Sequence, residues 1–109
     1  MTIVRVKRVD NKIVSVECDG HTGYGEESED IVCAALSSIV QTAILGLLQV
    51  AKINIKYEIF DGSAHLKFTL PKDMTSNERH DADIILETMF LGVVDLNQGY
   101  SDFVELEVI

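Results

Sequence analysis

Two cysteines, one proline and nine basic residues are all that 109 positions hold of each kind. Cys18 and Cys33 are too few for a disulfide framework. A structural zinc site draws four Cys or His ligands together, and the three histidines, at 21, 65 and 80, are scattered. No metal is therefore expected. The opening MTIVRVKRVD carries charge throughout and no apolar run of useful length. A secretory signal is not expected, and a cytoplasmic chain with reduced thiols is. There is no low-complexity tract and no visible linker, which suits one domain over residues 1–109.

Basic residues are scarce relative to acids. Eighteen acidic residues leave a net charge of −9. That balance repels a phosphate backbone, so direct nucleic-acid binding is not expected. It suits a cationic peptide, and it also aids solubility. Charge is missing altogether from Ile31 to Ala51, a stretch long enough to cross a bilayer. Ser37, Ser38, Gln41, Thr42 and Gln49 interrupt it. Amphipathic strand-like segments flank it and need covering, which predicts a buried core helix and no membrane span.

What is present reads as an ordered series of elements. Thr2 to Val9 alternates apolar and charged residues, and Ile13 to Glu17 does the same around an Asp10-Asn11 turn, which predicts a hairpin. A loop with Gly20, Gly23 and Gly25 follows. Asp30 or Ser28 is then the expected N-cap of a first helix reaching about Val50. Ile53 to Phe60 and Ala64 to Leu70 form a second hairpin around Asp61-Gly62, ended by Pro71. Thr75 to Glu78 is a capping box. It opens a second helix, to about Asn97, whose buried face is read as Ile84, Ile85, Thr88, Met89, Leu91 and Gly92. Gly99 is expected to close it, and Phe103 to Val108 forms a last strand. The order ββαββαβ predicts an α+β domain, a two-layer sandwich with two helices on a five-stranded mixed sheet.

The chemistry concentrates in residues 20–37, GHTGYGEESEDIVCAALS. With Asp30 as N-cap, Cys33 falls at N3, where free amides and the helix dipole stabilise a thiolate and can receive an oxyanion. Cysteine is equally at home as a small buried apolar residue. His21 can pair with Cys33 if the loop folds back; it can also be a turn histidine facing solvent. The carboxylates of Glu26, Glu27, Glu29 and Asp30 favour an imidazolium and oppose a thiolate. A mobile acidic loop would recruit a basic substrate and order around it. Ser37 lies one turn beyond Cys33 on the same face. The glycines do not make a phosphate loop, because acids rather than lysine follow them. Cys18 reads as structural, His65 as a strand-face residue and His80 as an exposed helix residue whose acidic neighbours, Asp81 and Asp83, point elsewhere around the helix.

DGH at 19–21, the acidic glycine loop and DIVCAALS at 30–37 resemble the signature of the ribosomal-processing cysteine protease family, Prp. ILETMFLGVVDL at 85–96 resembles the family's second helix, and the likeness extends over essentially the whole chain. It implies a bacterial cysteine endopeptidase that removes a short N-terminal extension from a large-subunit ribosomal protein, the twenty-seventh of the L series. The family's His–Cys dyad falls on His21 and Cys33. Gly20, Asp30, Ala34 and Ser37 fall at supporting or substrate-binding positions, with Asp30 as the cap or as a group orienting His21. The resemblance further implies a homodimer, no cofactor and a loop that moves on peptide binding. The loop here, TGYGEESE, is richer in acid than in glycine over its second half. Two other readings stand beside this one: an acidic, non-catalytic module that binds a ribosomal protein or assembly intermediate, and a redox-sensing thiol protein using Cys33.

Overall fold

The computed structural model describes residues 2–20, 27–60 and 65–109. The elements run β1 (Thr2–Val9), β2 (Lys12–Asp19), α1 (Glu27–Leu45), a π-helical turn (Gly46–Val50), β3 (Lys56–Phe60), β4 (His65–Thr69), α2 (Ser76–Gly99) and β5 (Val104–Val108). This is the expected order, and the expected two helices lie against a five-stranded mixed sheet. Asp10 and Asn11 take φ of 52° and 66°. Two successive left-handed residues give the turn whose twist matches a hairpin, and short polar side chains tolerate that region. The second turn, Asp61-Gly62, lies outside the described residues.

The strands are ordered β3-β4-β2-β1-β5. β1 and β5 pair in parallel, and the other three neighbouring pairs are antiparallel. Each helix therefore connects two parallel strands, α1 joining β2 to β3 and α2 joining β4 to β5. β2 and β4 point in opposite directions, and their crossovers also step in opposite directions across the sheet. Two connections of one hand then lay both helices on the same face.

Strand alternation sorts the residues between the two faces. Val4, Val6, Val16, Cys18, Leu66 and Phe68 face the helices and are buried. On the open face one register row runs Glu58, Lys67, Glu17, Arg5, Glu107 across all five strands. Acid and base alternate along it, with Arg5 donating to Glu17 at 3.1 Å and lying 3.3 Å from Glu107. A solvated face of this kind is usual where antiparallel pairing dominates.

The apolar run Ile31–Val50 has the length and mean hydropathy (2.2) of a membrane span. One face of it, Val32, Leu36, Val40, Ile44 and Leu47, is buried in the core over the sheet, which agrees with the core-helix expectation. α2 is closely approached by α1 and by the π-helical turn at two glycines. A Cβ on Gly92 would stand 3.4 Å from Ile39 Cγ2, and one on Gly46 would stand 3.6 Å from Ile85 Cγ2. Arg8 ties α2 to the sheet: its guanidinium donates to both carboxylate oxygens of Glu87, at 2.6 and 3.1 Å, and lies 4.9 Å from the Phe90 ring centroid.

Several boundaries and one helix face differ from expectation. α1 begins at Glu27, so neither Ser28 nor Asp30 caps it. The run Glu27-Ser28-Glu29-Asp30 looks like loop by composition, but acids are favoured in a first helical turn by the dipole. Ladder pairing in β3 begins at Lys56 rather than Ile53, although Ile53 and Ile55 are both buried. Gly99 is the last residue of α2 and Tyr100 its C-cap. The buried stripe of α2 is Ala82, Leu86, Met89 and Val93, while Ile84 and Leu91 are 56% and 68% exposed. α2 carries apolar residues nearly all round. Which stripe faces the sheet depends on the entry angle of the helix, and periodicity does not supply it.

The capping box at the start of α2 is as expected. Glu78 N–H donates to Thr75 Oγ1 at 3.1 Å, and Thr75 N–H donates to Glu78 Oε1 at 3.0 Å. Replacing Thr75 by alanine is expected to lower the unfolding free energy by about 1 kcal/mol, read as a lower urea midpoint at unchanged slope.

Candidate active site

Cys33 is the seventh residue of α1 counting from Glu27. It therefore lies in the second turn, where its own amide belongs to the helix ladder, and not at N3 among free amides. The expected oxyanion site built from first-turn amides around Cys33 is overturned by this earlier helix start. Cys33 is partly buried. Its Sγ lies 3.1 Å from Thr2 Oγ1, and either group can donate.

Thr2 is the polar residue in an otherwise apolar set. It sits in the helix-facing phase of β1 with Val4 and Val6, and it is 5% exposed. Its backbone N–H donates to Phe103 O at 2.9 Å. A buried hydroxyl needs a partner, and here the partner is the sulfur. Composition and motif spacing did not single out Thr2. The available signal was its polarity in a buried alternation phase.

The β1–β2 register pairs Ile3 with Asp19, so the chain leaves the sheet at Gly20, next to the start of β1. Gly20 takes φ of 95°, a conformation a side chain would strain, and its N–H donates to Asp19 Oδ1 at 2.9 Å. His21, the expected partner of Cys33, lies outside the described residues, as does the loop 22–26. Ser37, one turn after Cys33, accepts a hydrogen bond from Gln41 Nε2 at 2.6 Å, and Ala34 is exposed.

The second thiol is built differently. Cys18 is 8% exposed and sits in the core cluster. Burial, with a smaller contribution from the neighbouring Glu17 carboxylate, pushes its pKa up to about 12. At neutral pH it is a thiol, not a nucleophile. Stability carries the matching signature. The unfolded chain loses this proton from about pH 9, where the folded chain still holds it. Unfolding stability should therefore fall by about 1.4 kcal/mol per pH unit above pH 9. Cys18→Ala should lose that slope in denaturant titrations across pH 8–11.

The other titratable candidates stay in bland roles. His65 lies 3.8 Å from Glu17 and 3.7 Å from Asp19 on the open sheet face. His80 is exposed as expected, but its Nδ1 lies 3.4 Å from Asp81, an acid that helical spacing was expected to set apart from it.

Residues 1–105 match the family model for cysteine protease Prp. The chain belongs to the Prp family. It is a cysteine endopeptidase. Among curated Prp proteins, the ribosomal processing cysteine protease Prp of Staphylococcus aureus is 30% identical over 100 residues, covering 89% of this chain and 88% of its own. The Bacillus subtilis Prp is 25% identical over 93 residues, or 85% and 83% of the two chains. The fold agrees as well. Staphylococcus aureus Prp, solved with a substrate peptide, matches with a TM-score of 0.87 at 22% identity over the whole of both chains. SMU.848 from Streptococcus mutans matches with a TM-score of 0.83 at 28% identity, covering all of this chain and 94% of the other.

Proposed function

We propose that this Prp protein removes an N-terminal extension from a large-subunit ribosomal protein, with Cys33 as nucleophile and His21 as general base and then acid. Elimination carries the assignment of the nucleophile. A cysteine endopeptidase needs a reactive thiol, this chain has two, and Cys18 is sealed in the core with a pKa of about 12. The curated relatives are named for ribosomal processing.

In this mechanism the Cys33 thiolate attacks the scissile carbonyl and forms a tetrahedral oxyanion. The C–N bond then breaks, and His21 gives its proton to the leaving amine. Water, deprotonated by His21, hydrolyses the remaining thioester and releases the thiol. Gly20 turns the chain out of the sheet toward His21. Asp30 is assigned the orientation of His21. Ala34 and Ser37 lie along the helix from Cys33, where an extended peptide would pass.

The enzyme acts in the cytoplasm as a homodimer. Ile31, Leu45, Ile84 and Leu91, exposed on the helices, offer apolar area for a second copy to bury. Equilibrium sedimentation should return twice the mass of one chain.

A peptide spanning the extension junction tests the activity. Mass spectrometry should find one cut bond, absent with a scrambled peptide. Binding without cleavage would instead favour the acidic binding module.

A further inference from the structure

The chain is acidic, yet its bases are gathered in one place. A cleft of about 1080 Å³ is lined by Lys7, Lys12, Lys67, Lys72 and Arg79. Five of the nine basic residues thus face it, against one of the eighteen acids, Asp83. Asp83 pairs with Arg79 and lies 3.8 Å from Lys12. Lys7, Lys67 and Lys72 have no ion-pair partner among the described residues. Glu17 and Glu58 flank Lys67 on the neighbouring strands, but Glu17 is taken by Arg5.

Three elements converge to form the cleft. Lys7 and Lys67 come from the open sheet face. Lys72 comes from the segment that follows β4, held to β2 by the Leu70 N–H to Val14 O bond at 2.9 Å. Arg79 comes from the first turns of α2 and is itself fixed by donating to Ile13 O at 2.9 Å. Ser15, Thr69 and Ser76 add hydroxyls, and Val14, Leu70, Pro71 and Met74 add an apolar wall. Lys7 is five residues along β1 from Thr2, about 16 Å at the strand rise, so this is not the thiol site.

We propose that this cleft binds a small polyphosphate-bearing ligand of nucleotide size, its phosphates on the lysines and its remainder on the apolar wall. Size follows from charge. Exposed charges act over about 8 Å at physiological salt. A small anion in the cleft therefore meets mainly the lysines, whereas a long one would run out over a surface of net negative charge. The volume is also that of a small-molecule pocket.

Calorimetric titration of the full chain with ATP and with inorganic triphosphate tests the site. Both should bind, ATP more tightly, and both more weakly as salt rises. The exposed triple variant Lys7→Gln, Lys67→Gln, Lys72→Gln should bind about 10–100-fold more weakly, from the modest worth of three exposed charges, while cutting the junction peptide at the wild-type rate without ligand. No heat with either probe at millimolar concentration would overturn the proposal. Binding unchanged in the triple variant would do the same, as would a short duplex RNA that binds more tightly than ATP.

Discussion

Replacing Cys33 with serine should lower kcat for junction-peptide cleavage by at least about 10⁴-fold, and replacing His21 with alanine should do nearly the same. Groups that act as one unit are strongly non-additive, so the double variant should be hardly worse than either single one. Serine is the better probe at position 33. Alanine would leave the Thr2 hydroxyl buried without its partner, at a cost of about 1–3 kcal/mol, and lost folding could be mistaken for lost chemistry. Serine keeps a hydroxyl near the place of the sulfur and removes only the reactive thiolate. Cys18→Ala supplies the opposite control, because it removes the other thiol and should leave kcat near wild type. Iodoacetamide near neutral pH should label Cys33 and spare Cys18, whose thiolate fraction at pH 7 is on the order of 10⁻⁵ for a pKa of about 12. Cleavage that survives Cys33→Ser, or that disappears with Cys18→Ala, would remove Cys33 as nucleophile. Cleavage indifferent to His21→Ala would remove only the dyad.

Strand content was legible because its signals are local. Alternation and the Asp10-Asn11 turn fixed the first hairpin, and the capping box fixed the start of α2 within a residue. Features set by how elements meet were not legible. The start of α1 was misplaced because four polar residues suit a loop as well as a first turn. With the start at Glu27, Cys33 lies in the second turn, and only the first-turn amides expected around it are lost. The buried stripe of α2 was misjudged because α2 also packs on α1 through Ile85 and Gly92, so its apolar residues do not mark a single face. Within the site, a motif marks Cys33, whereas only polarity in a buried alternation phase marks Thr2. The Thr2–Cys33 contact spans 31 positions, and it exists only because β1 lies under α1.

Thr2 should prove to be a positioning residue. Thr2→Val conserves shape and removes the hydroxyl, so β1 and the core beside it should keep their packing. The loss falls on the sulfur, which then has an apolar neighbour where it had a hydrogen-bond partner. A bond to a charged partner is worth about 1.5–3 kcal/mol, which predicts a fall of about 10–100-fold in kcat/KM. The fall should lie in kcat, because the bond gains strength when the sulfur carries charge. KM should stay within about twofold, because a side chain 5% exposed is out of reach of a bound peptide. Thr2→Ser restores a hydroxyl at the same carbon and should recover most of kcat. A merely structural threonine would give a different pattern, with valine the more stable variant, serine the less stable one, and kcat alike in both. Wild-type kcat in Thr2→Val, or a serine variant as slow as the valine variant, would assign the 3.1 Å contact to packing alone.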